Sequence, residues 1–160
     1  MNRNKDVAES KRTGRLVRAK RKQCYLNAFR VIQEVKEYAE GDYVEGAAVI
    51  GGVMVIEHGW VEKDEIVVDP TLPRDNIVYF AGLRCRGQRG IAEAMKIPKP
   101  SYSEHLPIFY RFGWGGIESP EFRVALAAAY RFAGIESLAK QYEDWKPHNG
   151  REVLPVLVLD

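Results

Sequence analysis

Val53-Met54-Val55-Ile56-Glu57-His58-Gly59-Trp60-Val61-Glu62-Lys63-Asp64-Glu65-Ile66-Val67-Val68-Asp69-Pro70-Thr71 is the stretch on which the fold of this chain turns. Two apolar runs flank a short charged segment, the pattern of a β-hairpin. Side chains alternate across a strand, so Met54, Ile56, His58 and Trp60 share one face while Val53, Val55 and Val61 take the other. The imidazole of His58 is therefore expected among apolar neighbours. Ile66, Val67 and Val68 are β-branched and favour extended backbone, and Asp69-Pro70 stops the run because proline offers a ladder no N–H. Closing the hairpin brings Asp69 back beside His58. An ionised carboxylate in that place fixes the tautomer of an imidazole and stabilises its charged form, which matters if a nucleophile stands nearby.

Upstream, one thiol qualifies. In Gln23-Cys24-Tyr25-Leu26-Asn27-Ala28-Phe29-Arg30-Val31-Ile32, a 100° step places Cys24, Ala28, Val31, Ile32, Val35 and Ala39 on one stripe. Cys24 then opens the buried face of a helix expected to run to Glu40-Gly41-Asp42, where glycine can take the left-handed end conformation. Helix starts carry free N–H groups and the positive end of the dipole; both favour a thiolate, and the N–H groups suit an oxyanion. Each residue alone has a plainer use: a small core thiol, a structural strand histidine, a strand-ending aspartate. Their combination carries the functional reading.

Gln23-Cys24-Tyr25 followed by Ala28 resembles the Gln-Cys-Trp-x-x-Ala signature of the transglutaminase core, with Lys22 where that family usually has glycine and Tyr25 for tryptophan. His58-Gly59-Trp60-Val61-Glu62 followed by Val68-Asp69-Pro70-Thr71 is similar to that superfamily's His-x-Trp-x-Glu and Val-Asp-Pro-Thr pair. The likeness spans roughly residues 20–82, and the order Cys24, His58, Asp69 is more specific than any one motif. It implies an α+β, papain-like fold with the nucleophile's helix packed on an antiparallel sheet. It also implies a triad of nucleophile Cys24, acid/base His58 and orienting Asp69. Peptidases, amidases, deamidases and cross-linking acyltransferases share that chemistry and differ in the acceptor. Gln23, Tyr43 and Trp60 are the accompanying candidates for oxyanion or substrate contacts, Tyr43 having the alternative of a partly buried strand-edge residue.

The composition sets the frame. The chain has 160 residues, 46% hydrophobic, enough for one domain with its own core. No apolar run of membrane-spanning length and no apolar leader segment are visible, so the expected location is cytoplasmic and no membrane partner is expected. Two cysteines, Cys24 and Cys85, suggest neither a disulfide framework nor a metal site, and no cofactor is expected. The charge of +2 hides an asymmetry: residues 1–22 hold nine Lys or Arg against two acids (+7), and the other 138 hold 15 against 20 (−5). Residues 1–22 are therefore taken as a basic arm and 23–160 as the domain. Such an arm suits nucleic acid, an anionic surface or an acidic protein, or is a solvated or docked tail. The alternative to an enzyme is accordingly an inactive binding module of the same fold, tethered through this arm; the enzyme would take a protein, peptide or other amide substrate.

The remaining chain completes the layout. Residues 43–50 form the expected first strand and Gly51-Gly52 the turn into the His58 strand, with Glu45 and Glu57 expected as solvated strand residues. Residues 76–80 suggest a fourth strand ending by Gly82, then a basic loop Arg84-Cys85-Arg86-Gly87-Gln88-Arg89-Gly90 and a short helix over 91–95. His105 is a reserve acid/base, and the aromatic, glycine-containing run 109–116 suits a groove wall. Ser119-Pro120 begins a helix that Gly134 ends, a second follows over 135–145, and 153–159 is a closing strand or tail.

Overall fold

The computed structural model describes residues 5–98, 107–112 and 116–146. They form an α+β architecture built on a four-stranded antiparallel sheet: β1 (Asp42–Ile50), β2 (Met54–Lys63), β3 (Ile66–Val68) and β4 (Ile77–Arg86), in the order β3-β2-β1-β4. Gly51 and Gly52 turn β1 into β2 with φ of 62° and 77°. Asp64 and Glu65 turn β2 into β3 with φ of 51° and 64°, the left-handed pair whose twist suits a two-residue hairpin.

The alternation expected for β2 sorts the sheet into two faces. On one, Tyr43, Ala47, Val49, Val61, Val68 and Leu83 meet the helices. These helices are α1 (Val7–Leu16), α2 (Cys24–Glu34), α3 (Gly87–Met95), α4 (Pro120–Phe132) and α5 (Glu136–Glu143). On the other face Val44, Ala48, Trp60, Val67, Ile77 and Tyr79 form a smaller cluster joined by Ile56 and Leu72. Ser119 caps α4 by accepting the Phe122 N–H, with Pro120 in the first position and Gly134 beyond its end at φ 77°.

Two expectations need correction. The helix that begins at Cys24 ends at Glu34: Val35 turns extended (φ −108°, ψ 102°) and stays buried, and a 3₁₀ turn over Lys36–Tyr38 carries Tyr38 inward to donate to Glu9 Oε1 at 2.8 Å. Gly41 is not in the left-handed region; it leads into β1. Second, β4 passes through Gly82 to Arg86, because β1 extends far enough to pair Tyr43 with Cys85 and Asp42 with Arg86. The expected basic loop is thus strand followed by the first turns of α3. Residues 5–22, read as a basic arm that is solvated, docked or bound to a partner, take the docked arrangement. Lys5 bridges Val67 in parallel, Ser10 and Thr13 of α1 are fully buried, and Gly14 lies so close to Pro70 that a Cβ there would meet its carbonyl oxygen at 2.9 Å. His105, Trp114, His148 and the run 153–159 lie outside the described residues. Among the described residues no helix is long and apolar enough to cross a membrane.

Candidate active site

The chain between α1 and α2 is broken by left-handed backbone at Arg18 and Lys22, so α2 starts afresh at Cys24. Gln23 precedes it without a side-chain cap and no acidic residue occupies its first turn. The first N–H groups of the helix thus keep their free hydrogen-bonding capacity at the side of a half-buried thiol. Buried Asn27 locks this start in place: its Oδ1 accepts the Lys20 N–H at 3.0 Å, and its Nδ2 donates to the Lys20 carbonyl at 2.7 Å and to Thr71 Oγ1 at 2.9 Å.

Cys24 and His58 approach from opposite faces of the sheet and meet at its rim. β3 pairs only with Val61, Glu62 and Lys63 of β2, so β2 from Met54 to Trp60 has no strand outside it. Gly59 lets the helix come near: a Cβ there would lie 2.7 Å from the Tyr25 ring and 3.1 Å from the Tyr25 Cα. Cys24 and His58 line one cavity at this rim, and the thiol is near enough to the ring to act on its titration. On the ring's other side, Nε2 of His58 and Oδ2 of Asp69 are 2.8 Å apart. His58 is 2% exposed and Asp69 fully buried.

Asp69 is held from several directions. Its Oδ1 accepts the Thr71 and Leu72 N–H groups at 2.9 and 3.0 Å, its Oδ2 accepts the Tyr79 hydroxyl at 2.8 Å, and its own N–H donates to Ser10 Oγ at 2.9 Å. Lys5 Nζ lies 3.8 Å from Oδ2. The electrostatics follow. Burial alone would lower the His58 pKa, but the Asp69 charge and hydrogen bond and the contact with Cys24 outweigh it and raise it to about 9. Burial would raise that of Asp69, but His58, Lys5 and the backbone donors bring it down to about 2. The two form a buried ion pair at neutral pH.

A cavity of about 470 Å³ opens over Cys24 and His58, lined also by Arg21, Lys22, Tyr25, Ile56, Glu57, Thr71 and Leu72. The structure thus brings Cys24, His58 and Asp69 together. It does not bring Gln23, Tyr43 or Trp60 to the cavity. Gln23 is exposed at the α2 start. Tyr43 is turned into the core with its hydroxyl donated to Glu45 at 2.5 Å, nearer to its alternative as a buried strand residue. Trp60 is fully buried, stacked on His58 (6.3 Å between centroids, 17°) with its N–H donated to Glu62 at 2.9 Å; it backs the imidazole.

Glu45 also departs from expectation. It is fully buried and accepts the Tyr43 hydroxyl and the N–H groups of Ile108 and Phe109 at 2.7 and 2.8 Å, which anchors the 3₁₀ turn Ile108–Arg111 against the sheet. Burial lifts its carboxyl to about 7 against these donors. Cys85 is buried, and burial with Glu45 and Asp42 pushes its thiol up to about 12, unsuited to nucleophilic work. Sequence reasoning missed Lys5, Ser10 and Tyr79 at Asp69, and the packing reason for Gly59. Tyr79 was within reach, since it alternates with Ile77 on the face that bears Trp60; nothing local to residues 5–10 signals that they reach Asp69.

Among the described residues no group of three or more His, Cys, Asp or Glu side chains is arranged to hold a metal ion. Compared with family models, curated proteins and solved structures, the chain matches none.

Proposed function

We propose that this protein is a cysteine-dependent hydrolase or acyltransferase acting on amide bonds, with a transglutaminase-like, papain-like core and a Cys24-His58-Asp69 triad. The observation that carries the reading is the His58 ring, bonded through Nε2 to a buried Asp69 and in contact with a thiol at the first residue of a helix, open to a cavity. With Nε2 engaged, Nδ1 is the nitrogen left to serve Cys24. Sγ attacks the amide carbonyl carbon while the developing oxyanion is held by the Cys24 N–H. His58, charged at neutral pH, gives its proton to the leaving nitrogen as the C–N bond breaks, leaving a thioester on Cys24. Water or an amine, losing a proton to His58, then attacks the thioester and releases Sγ. Water makes the enzyme a peptidase, amidase or deamidase; an amine makes it a cross-linking enzyme.

The test uses p-nitrophenyl acetate as acyl donor. Intact-mass spectra should show one acetyl group on Cys24, absent in Cys24→Ala and strongly reduced in His58→Ala, with nitrophenolate released. Adding a primary amine separates the two second steps: an acetylated amine marks transfer, acetate alone marks hydrolysis. Acylation that is unchanged in His58→Ala, or that maps to another residue, overturns the proposal and leaves a binding module of this fold as the better account.

A further inference from the structure

We propose that Lys5 and Tyr79 are positioning residues of the site, orienting the Asp69 carboxylate and moderating its hold on the His58 proton; this rests on the acyl-transfer reading above. Oδ2 of Asp69 is shared. It accepts the Tyr79 hydroxyl at 2.8 Å while facing His58 Nε2 at 2.8 Å, and Lys5 Nζ stands 3.8 Å from it. Lys5 Nζ donates to the Tyr79 oxygen at 2.6 Å and to the Leu72 carbonyl. The result is a chain of donors running Lys5, Tyr79, Asp69, in which each group's orientation is fixed by the next. The Lys5 side chain is 7% exposed, so water screens its charge little.

Lys5 is not there by accident of a loose end. Its backbone pairs with Val67, the Asp6 N–H donates to the Val67 carbonyl at 3.0 Å, and one helical turn later Ser10 Oγ accepts the Asp69 N–H. The N-terminal segment therefore forms the outer neighbour of β3 and the floor beneath Asp69. The consequence for the chemistry is a balance. A bare buried aspartate would hold the imidazolium proton tightly, and a proton held tightly is a poor one to donate to a leaving amine. A hydroxyl and an ammonium that draw on the same oxygen keep it ionised while weakening its attraction for His58. The titratable and charged groups surrounding this pair are Cys24 from α2, Tyr79 from β4, Lys5 from the N-terminal segment, and Arg74 and Asp75 from the connection to β4.

The experiment is a ¹⁵N NMR titration of the His58 ring in the full chain, for wild type, Lys5→Met, Tyr79→Phe, Asp69→Asn and the charge-matched surface control Lys140→Met. Iodoacetamide alkylation of Cys24 at pH 7 is measured alongside, with His58→Ala included. Lys5→Met and Tyr79→Phe should each move the His58 midpoint upward, by on the order of one pH unit at most; Lys140→Met should leave it in place and Asp69→Asn should move it down. A merely structural role would slacken Asp69 and lower the midpoint as Asp69→Asn does, so a fall or no movement in both variants overturns the proposal. Tyr79→Phe retains the ring that packs on Trp60 and His58, so it carries the test if Lys5→Met does not fold. Alkylation of Cys24 that ignores His58→Ala would instead defeat the acyl-transfer reading itself, whichever way the midpoints move.

Discussion

Replacing Asp69 by asparagine removes the counter-charge of a buried imidazolium, and the cost should depend on pH in a way the structure specifies. His58 is raised from 6.5 to about 9, so its contribution is fully present below 6.5 and is lost as pH rises through about 9. At about 1.4 kcal/mol per pH unit, that rise corresponds to about 3 kcal/mol of stability. Asp69 is lowered from 3.8 to about 2, so its contribution is fully present above 3.8 and is lost as pH falls from there through about 2. Breaking a buried pair by removing one partner costs roughly 3–5 kcal/mol. Urea unfolding followed by far-ultraviolet circular dichroism should therefore show the widest gap between wild type and Asp69→Asn from about pH 4 to 6.5. The gap should narrow by about 3 kcal/mol by pH 9, leaving the smaller cost of the donors that lose Asp69 Oδ2. A gap that stays constant from pH 6 to 10 would refute the claim that a charged His58 is what Asp69 holds.

Other consequences are quicker to check. Iodoacetamide should modify half-exposed Cys24 in the folded protein and spare buried Cys85 until urea unfolds the chain, as peptide mass mapping would show. Gly59→Ala forces a Cβ against Tyr25, so it should destabilise the fold by roughly 1–3 kcal/mol and slow alkylation of Cys24 by moving the α2 start off the rim. Glu45→Ala strands the buried N–H groups of Ile108 and Phe109, at about 1–3 kcal/mol each, and should loosen the 3₁₀ turn first, read by hydrogen exchange at those two amides. Wild-type stability should also decline between pH 4.5 and about 7 through Glu45, whose carboxyl is raised and so favours folding most when protonated; that part of the slope should vanish in Glu45→Ala.

The hairpin and the helix start were legible because they rest on local rules. Alternation in 53–61, β-branching in 66–68, proline at 70 and a helical stripe from 24 each act over a few residues, and together they place an imidazole, a carboxylate and a thiol on elements that must pack. What the sequence did not disclose is set by long-range pairing. Arg84 and Cys85 look like loop until β1 is known to run alongside them, and Glu45 looks solvated until the 3₁₀ turn more than sixty residues later presents its N–H groups. The basic composition of residues 1–22 left docking open beside a solvated tail or a partner contact for the same reason. Charge counts the heads of Lys and Arg side chains, whereas docking of α1 is decided by Ser10, Thr13 and Gly14, which are small and uncharged.

The placement of the site at a sheet rim follows from the two faces. α2 lies on the face lined by Val61 and Val68, while His58 projects with Trp60 and Ile56 toward the other. A thiol on the helix and an imidazole on the far side of a continuous sheet could never touch. They touch here because β3 is three residues long and pairs only with the far end of β2, leaving Met54 to Trp60 as an edge. An open strand edge usually exposes unpaired backbone groups and invites aggregation. This one is met by the α2 start, brought close by Gly59, and by the 69–72 turn tied to Asn27 through Thr71. The shortness of β3 and the proline that ends it therefore do two things at once: they open the edge on which Cys24 and His58 meet, and they turn the chain so that Asp69 stands behind the ring.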